Sequence, residues 1–396
     1  MGLRRIEEAD VHRKRVLVRV DFNVPMKDGV ITDATRLMAA LPTISHLKSA
    51  GAMVILLAHF GRPKGQRVAE ASLAPVAPAL ADLLAAPVEF AEDCIGPKAE
   101  SAAETLKPGD ILLLENTRFH AGEEANDDAF AKALAALGDV YVNDAFSAAH
   151  RAHASTAGVA EYLPAYAGLS LQRELDHLGQ ALTDPKRPVI ALVGGAKVST
   201  KIALLENLVS KVDTLFVGGA MANTFLLAQG HEVGKSLVER DFTDTAHRIM
   251  EAARTHGCEL ILPQDLVCAA EFAPNPETRT VPADAIPGGM MALDAGPQSV
   301  DALADAIDAS KTLIWNGPLG AFETPPFETS TVEAARYAAE RCREGKLIAV
   351  AGGGDTVAAL NVAGVASDFT FISTAGGAFL EWMEGQILPG VAAVTD

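Results

Sequence analysis

The chain has 396 residues, of which 49% are hydrophobic and 5% aromatic, and its formal net charge is -18. This length and apolar content allow a large core and favour two domains over one. The negative charge argues against nucleic acid or an anionic membrane as a partner, because both are bound through basic surfaces. The four cysteines lack metal-binding spacing and no segment has the pattern of a leader or a membrane span, so we expect a cytoplasmic protein with reduced thiols.

Short apolar segments alternate with helical patterns through the first half of the chain. The alternation predicts right-handed crossovers and a parallel sheet, whose ligands bind beyond the carboxyl ends of the strands. Polar side chains follow the predicted strands at those ends, among them Asp21, Asn23, Glu115 and Asn116. The predicted strands are residues 16–20, 53–58, 111–114 and 140–142, and the predicted helices include 35–50 and 73–86.

Arginine recurs at this predicted sheet edge although the protein is acidic overall. Arg36, Arg62, Arg118 and Arg151, together with His59, follow separate strands or open helices. Guanidinium groups that converge from several loops favour a small, doubly charged anion. Scattered surface arginines remain the alternative, because only the topology argues for their convergence.

An amphipathic pattern over residues 170–182 predicts a helix that connects two domains. In the second half the predicted strands run into glycine instead of charged residues. A stretch rich in proline, glycine and acidic residues, 271–297, predicts an exposed excursion. The predicted strands of this half are residues 189–193, 214–217, 312–315 and 347–351.

The segment GGAKVSTK, residues 194–201, follows a predicted strand and favours phosphate binding. We expect it to begin a helix, with Lys197 and Lys201 four residues apart on one face and both cations directed to the same sheet edge. A solvated basic helix face is the alternative.

The segment KLIAVAGGGDTVAAL, residues 346–360, predicts a buried strand that meets three glycines and then a helix. Glycine lets the backbone approach an anion, and the helix N-terminus attracts negative charge. Asp355 would repel a phosphate unless a divalent cation lies between them, which favours a magnesium nucleotide. The alternative is that Asp355 only caps the helix.

Three further patterns are not supported as sites. The Walker-like segment at residues 230–236 is one residue short and follows a helical pattern. No GxGxxG follows the first strand, which argues against a dinucleotide fold. His150 and His153 lack the surrounding ligands of a metal site.

Seven motifs, in order, resemble those of the phosphoglycerate kinase family, and the resemblance covers essentially the whole chain. The family resemblance implies an α/β fold with two Rossmann-like three-layer αβα domains whose parallel sheets face a cleft. The motifs are DFNVP (21–25) with TR (35–36), HFGRP (59–63), ENTRF (115–119), HRAHAS (150–155), GGAKVSTK (194–201), NGPLGAFE (316–323) and GGGDT (352–356).

The resemblance also implies the domain organisation and the reaction. It implies a 3-phosphoglycerate domain over 1–169, a connecting helix over 170–184, a magnesium-nucleotide domain over 185–380, and a C-terminal segment, 381–396, that packs on the first domain. The reaction is reversible phosphoryl transfer from 1,3-bisphosphoglycerate to ADP, giving 3-phosphoglycerate and ATP in glycolysis. The family further implies a monomer that closes by a hinge.

The resemblance implies roles for individual residues of these motifs. Phe60, Thr200 and Ala375 depart from the usual family residues, without removing a proposed ligand. Arg36, Lys197 and Lys201 are expected to be catalytic, Glu323 to contact the ribose and Asp355 to hold Mg²⁺. The expected 3-phosphoglycerate residues are Asp21, Phe22, Asn23, Arg36, His59, Phe60, Gly61, Arg62, Arg118 and Arg151. The expected nucleotide residues are Gly195, Ala196, Lys197, Lys201, Asn316, Glu323, Gly353, Gly354, Asp355 and Thr356.

Both nucleophiles of this reaction are already anionic, so positioning and cations suffice without a general base. Two other functions remain as alternatives. A nucleotide-dependent dehydrogenase would need the missing glycine fingerprint. A binding protein without activity would have no need for Arg36 and two lysines directed at one site.

Overall fold

The chain divides into two compact units. A computed structural model describes residues 2–27 and 29–396. The first unit comprises residues up to Leu175 together with Ile387–Asp396, and the second comprises Asp176–Gln386. The division falls within one helix, Leu169–Leu178, which continues into a wider π-helical turn at Gly179–Thr183.

The first unit is built on a six-stranded parallel sheet in the order β5-β6-β4-β1-β7-β8, and β2 and β3 form a small antiparallel hairpin. Strands β6 and β7 are buried at every residue, as expected when helices cover both faces of a parallel sheet. The strands are β1 (Arg15–Arg19), β2 (Met26–Lys27), β3 (Val30–Ile31), β4 (Met53–Leu57), β5 (Glu89–Ala91), β6 (Ile111–Leu114), β7 (Val140–Asn143) and β8 (Ala165–Ala167).

Helices of the first unit follow the strands as the alternating pattern predicted. The predicted helix over 35–50 is confirmed as α1, and its buried face, including Leu37, Ile44 and Leu47, packs in the core of this unit. The helices are α1 (Thr35–Ser49), α2 (Val76–Leu84), α3 (Gly96–Thr105), α4 (Ala121–Glu124), α5 (Asp128–Ala135) and α6 (Leu169–Leu178).

The second unit repeats the arrangement with a parallel sheet in the order β11-β10-β9-β15-β16-β17. Its central strands β9 and β15 are buried at all five residues. The predicted α/β class with two parallel sheets is therefore confirmed. The strands are β9 (Val189–Val193), β10 (Thr214–Val217), β11 (Glu259–Ile261), β12 (Asp265–Ala269), β13 (Thr278–Pro282), β14 (Met291–Ala295), β15 (Thr312–Asn316), β16 (Ile348–Gly352) and β17 (Phe371–Ser373).

The excursion predicted over 271–297 is largely exposed up to residue 290, but it contains two strands that the sequence did not predict. This stretch supplies β13 and β14, which flank β12 in a three-stranded antiparallel sheet. Val281 and Ala292 pack with Leu266 in a small separate core. Proline and glycine lie in the turns of this stretch. Its apolar residues are few and far apart, so the local pattern does not indicate strands that form only by pairing with β12.

The remaining helices cover the second sheet, except for the last, which belongs to the first unit. Helix α12 begins where the glycine triplet predicted a helix start. The helices are α7 (Ile202–Leu208), α8 (Met221–Ala228), α9 (Thr243–His256), α10 (Pro297–Asp308), α11 (Thr329–Arg343), α12 (Gly354–Ala363), α13 (Gly377–Met383) and α14 (Pro389–Ala392). Within 2–27 and 29–396, no helix is long and apolar enough to cross a membrane.

The C-terminal ten residues complete the first unit. The Gly390 amide donates to Ala149 O at 2.8 Å, and Asn143 Nδ2 donates to Gly390 O at 2.9 Å. A side chain at Gly390 would lie 2.9 Å from the Ala149 Cα, so glycine permits this close approach. Val394 is completely buried, and the Arg4 amide donates to its carbonyl. The segment is thus an integral part of this unit.

We expect Val394→Ala to destabilise the first unit, because two buried methyl groups are lost at a site that cannot fully collapse. The expected decrease in the free energy of unfolding is about 2 kcal/mol, read as a lower urea midpoint. Val30→Ala, at a side chain that is 66% exposed in the same unit, is the control and should hardly move the midpoint. Equal midpoints for both variants would contradict the stabilising role of this segment.

Candidate active site

Asp21 organises the first group of predicted residues beyond the end of β1. Its Oδ2 accepts hydrogen bonds from Arg36 Nη1 at 2.8 Å and from Ser147 Oγ at 2.6 Å. Its Oδ1 accepts from the Asn23 amide at 3.1 Å. Both Asp21 and Arg36 are only partly buried. The carboxylate therefore orients the Arg36 guanidinium while leaving part of it open to a ligand.

Side chains from neighbouring loops hold the loop after β4 through hydrogen bonds to its backbone groups. The Gly61 amide donates to Asn23 Oδ1 at 2.9 Å, and Arg118 Nη1 donates to Gly61 O at 2.8 Å. Asn116 binds both backbone groups of Phe60, at 3.1 Å and 2.7 Å. Residues from three strand ends thus meet at this loop, as the topology predicted.

His59 is held by a buried chain of hydrogen bonds that the sequence did not reveal. Arg19 Nη2 donates to His59 Nδ1 at 2.9 Å, and Arg19 Nε donates to Ser155 Oγ at 2.8 Å. Ser155 in turn donates through its amide and hydroxyl groups to Glu123, which is completely buried. Because arginine can only donate, His59 Nδ1 accepts and Nε2 carries the proton. The signal for Arg19 was a charged residue inside the apolar strand β1.

Arginines of this unit lower the pKa of two histidines, His59 and His153. The pKa of His59 is held well below its usual value by burial and by Arg19, Arg118 and Arg151. Burial and the same three arginines lower the pKa of His153 to about 4. Both imidazoles are therefore neutral at pH 7. Of the four predicted arginines, Arg118 and Arg151 therefore lie close to each other and to Arg19, and an anion would relieve their mutual repulsion.

The other predicted residues of the first unit lie at different depths. Arg62 is exposed on the loop after β4, and Arg151 is half-buried, with its Nε donating to His150 Nε2 at 3.1 Å. Phe22 is completely buried in the core cluster, so its side chain is a packing group.

Hydrogen bonds hold the ammonium group of Lys201 at the ends of two strands of the second sheet. Its Nζ donates to Gly194 O at 2.6 Å and to Asn316 Oδ1 at 2.7 Å. Burial lowers the Lys201 pKa to about 8, and the nearby Asp355 carboxylate opposes that shift. Lys201 therefore links the ends of β9 and β15 and lies close enough to Asp355 to interact with it.

The prediction that Lys197 and Lys201 share one face of a helix is wrong. Val198–Thr200 forms a 3-10 turn, and α7 begins only at Ile202. Lys197 is extended and exposed, whereas Lys201 ends the turn. Ser199 is bonded to Glu239 through its amide and hydroxyl groups, which favours the turn over a continuous helix.

The glycine triplet after β16 forms a backbone junction supported by two polar side chains. Gly353 has φ +99°, and a side chain there would lie 2.8 Å from Asn316 Nδ2. Asn316 Nδ2 donates to Gly352 O at 2.9 Å, and Thr356 Oγ1 accepts from the Gly317 amide at 2.7 Å. Gly353 is the N-cap of α12, so the alternative in which Asp355 caps the helix is wrong. The first-turn amides and the exposed Asp355 carboxylate both remain available to a ligand.

An apolar cavity of about 390 Å³ adjoins this junction within the second unit. Four sequence-predicted residues from three separate segments line it together, namely Gly195, Ala196, Glu323 and Asp355. A cavity of this size and character suits a planar ring system that ends in polar groups. Most of the apolar lining was missed, because its members come from distant segments without a motif. They include Leu237, Pro263, Phe272, Met291 and Leu293.

Comparison with known proteins supports the resemblance noted in the sequence. A family model described as phosphoglycerate kinase matches residues 6–386. The phosphoglycerate kinase of Maricaulis maris is 68% identical over 392 residues, which cover 99% of this chain and 97% of that protein. The phosphoglycerate kinase of Caulobacter vibrioides is 62% identical over 394 residues and matches over 100% of both chains.

Solved structures give the same result. The phosphoglycerate kinase structure from Coxiella burnetii superposes with a TM-score of 0.93 at 42% identity and covers 99% of both chains. The structure from Pyrococcus horikoshii gives a TM-score of 0.81 at 30% identity and covers 99% of this chain and 98% of that chain. Because the family model and the relatives match across nearly the full length, the chain belongs to the phosphoglycerate kinase family.

Proposed function

We propose that the first unit binds the phosphorylated carboxylic acid substrate and the second binds the magnesium nucleotide. The protein is a kinase of the phosphoglycerate kinase family, so its substrates are 3-phosphoglycerate or 1,3-bisphosphoglycerate and ATP or ADP. The observation that carries the assignment of the second unit is the single cavity lined by Gly195, Glu323 and Asp355.

The substrate assignment in the first unit is supported by its charge arrangement. Arg118 and Arg151 lie near His59 and lower its pKa, and the protonated Nε2 of His59 is a neutral donor beside them. Arg36 is oriented by Asp21, and Arg62 is exposed on the adjoining loop. Several donors at one sheet edge match the two charged ends of 3-phosphoglycerate.

The nucleotide assignment is supported by the apolar cavity and by the junction beside it. The base would occupy the cavity, Glu323 would accept from the ribose hydroxyls, and the phosphates would lie near Lys201 and the first-turn amides of α12. The residues also fit Mg²⁺, because an exposed carboxylate, Asp355, lines the cavity next to that junction. When bound, Mg²⁺ would neutralise phosphate charge.

Transfer by this protein needs cations and positioning but no proton acceptor. Carboxylate and ADP oxygens attack as anions, so the work of the chain is to align them and to stabilise charge on the moving phosphoryl group. Arg36 would supply that charge from the first unit, and Lys197 and Lys201 from the second. These residues belong to different units. Closure at a hinge would bring the two substrates in line and exclude water.

We also propose that the enzyme acts as a monomer in the cytoplasm. Its cysteines Cys94, Cys258, Cys268 and Cys342 are all free thiols, which suits a reducing compartment. Glycolytic substrates are consistent with the same location.

Arg36→Ala should lose at least about a hundredfold in turnover, because one cation is removed from the transition state. The measurement is coupled ATP consumption, which in the wild type should require both 3-phosphoglycerate and Mg²⁺. Arg248→Ala, at an exposed arginine of α9, is the matched control. Normal turnover of Arg36→Ala would remove this residue from the catalytic assignment.

Lys201 should give the reaction an alkaline limit. With a pKa of about 8, its ammonium group is charged below that pH and neutral above it, so kcat/KM for the nucleotide should fall as pH rises through about 8. Lys201→Arg keeps the charge and should shift this limit to higher pH, whatever its absolute rate. A wild-type profile that stays flat to pH 10 would show that Lys201 does not contribute its charge.

Asp355→Ala should weaken binding of the magnesium nucleotide by about tenfold or more, because the metal loses a carboxylate ligand. Affinity for 3-phosphoglycerate should stay nearly intact, since its proposed residues lie in the other unit. Calorimetry with and without EDTA separates metal-dependent from metal-independent binding of the nucleotide. Metal-free nucleotide should bind the wild type and Asp355→Ala with equal affinity. Asp301→Ala, at an exposed aspartate of α10, serves as the control, and an unchanged affinity in Asp355→Ala would exclude the metal role.

A further inference from the structure

A second cluster of potential metal ligands lies in the first unit, among residues that take no part in the proposed phosphoryl transfer. Asp93 and Cys94 lie between β5 and α3, and His120 immediately precedes α4. One carboxylate oxygen, the thiol sulfur and one imidazole nitrogen all lie within 4.8 Å of one another. In the part of the chain that the structure describes, this is the one group of three such side chains.

Hydrogen bonds already hold these side chains in place. His120 Nε2 lies 2.7 Å from Asp93 Oδ1, which also accepts from the Cys94 amide at 2.8 Å. The His120 ring packs against Phe130, with 5.2 Å between the ring centroids. Ligands that are ordered before binding lose little conformational entropy when a metal arrives.

The charge around Cys94 favours a cation. The carboxylates of Asp93, Glu115 and Glu123 lie near enough to the buried Cys94 thiol to act on it electrostatically. Glu115 and Glu123 are both buried carboxylates. The counter-charge to Asp93 is Arg67, whose Nη2 lies 2.9 Å from Asp93 Oδ2 and whose side chain is 49% exposed.

The cluster also has a route to solvent. His120 lines a surface cavity of about 500 Å³ together with Gly122, Asp127 and Phe130. His120 and Asp93 are themselves partly exposed, whereas Cys94 forms the closed end of the cluster. A metal ion and a water ligand could therefore enter from the His120 side.

We propose that Asp93, Cys94 and His120 bind one divalent transition-metal ion of the zinc type, with water as the fourth ligand. Imidazole, thiolate and carboxylate donors suit Zn²⁺ or Co²⁺, whereas Mg²⁺ prefers oxygen ligands alone. On binding, the Cys94 thiol releases its proton to solvent and the sulfur donates to the metal. The proton on His120 Nε2 moves through solvent to Nδ1, so that Nε2 gives up its hydrogen bond to Asp93 and donates its lone pair to the metal. This site is separate from the Mg²⁺ proposed at Asp355 and does not depend on the proposed function.

Titration of the full-length protein with Co²⁺ and Zn²⁺ tests the proposal. We expect one equivalent to bind, and Co²⁺ to show a sulfur-to-metal charge-transfer band that Zn²⁺ displaces. Cys94→Ser should abolish the band, and His120→Asn should weaken binding by about tenfold to a hundredfold. The matched controls are Cys268→Ser, at another buried thiol, and His247→Asn, at an exposed histidine.

Comparing Cys94→Ser with His120→Asn distinguishes a loss of metal ligands from misfolding. His120 is partly exposed, so His120→Asn should keep its thermal midpoint even if Cys94→Ser does not. Absence of the band in the wild type would overturn the proposal. Tight binding that survives both Cys94→Ser and His120→Asn, or that is lost in Cys268→Ser, would overturn it as well, because the metal would then sit elsewhere.

Discussion

The constraint on which the rest of this protein depends is the burial of two parallel sheets on both faces. Strands β6 and β9 expose no residue, and all of their side chains are apolar packing groups. Polar chemistry is thereby concentrated at the carboxyl ends of the strands and in the loops beyond them, where backbone groups lack ladder partners. Both proposed sites follow from that restriction.

The two units place different chemical groups at the carboxyl ends of their strands. The first uses charged side chains, and it buries a charged pair to do so: Arg19 and Glu123 are joined through Ser155, and the arginine orients His59. Such burial is costly unless every polar atom has a partner, and here the partners are supplied by three segments. The second unit uses backbone, with Asn316 and Thr356 bracing the glycine junction. Side-chain charge suits a small anion, whereas glycine-rich backbone beside an apolar cavity suits a nucleotide.

Local chemistry and long-range packing explain where sequence reasoning succeeded and where it failed. The strand-to-glycine pattern at 346–360 predicted the helix start of α12 because glycine and helix signals act over a few residues. The same reasoning placed Lys197 and Lys201 on one helix, and the structure has a turn there because Glu239, about forty residues away, bonds Ser199. The two strands within 271–297 were likewise not predicted, because they pair with β12, which the local pattern does not contain.

The sequence by itself determined the α/β class and the family, because periodicity and ordered motifs are local properties of the chain. Only the tertiary structure decided which side chains meet. It joined Arg19 to His59 and, through Ser155, to Glu123, completed an apolar cavity with residues from segments without a motif, and brought Asp93 and Cys94 to His120. These contacts join residues that are far apart along the chain, and their geometry depends on packing that no local pattern encodes.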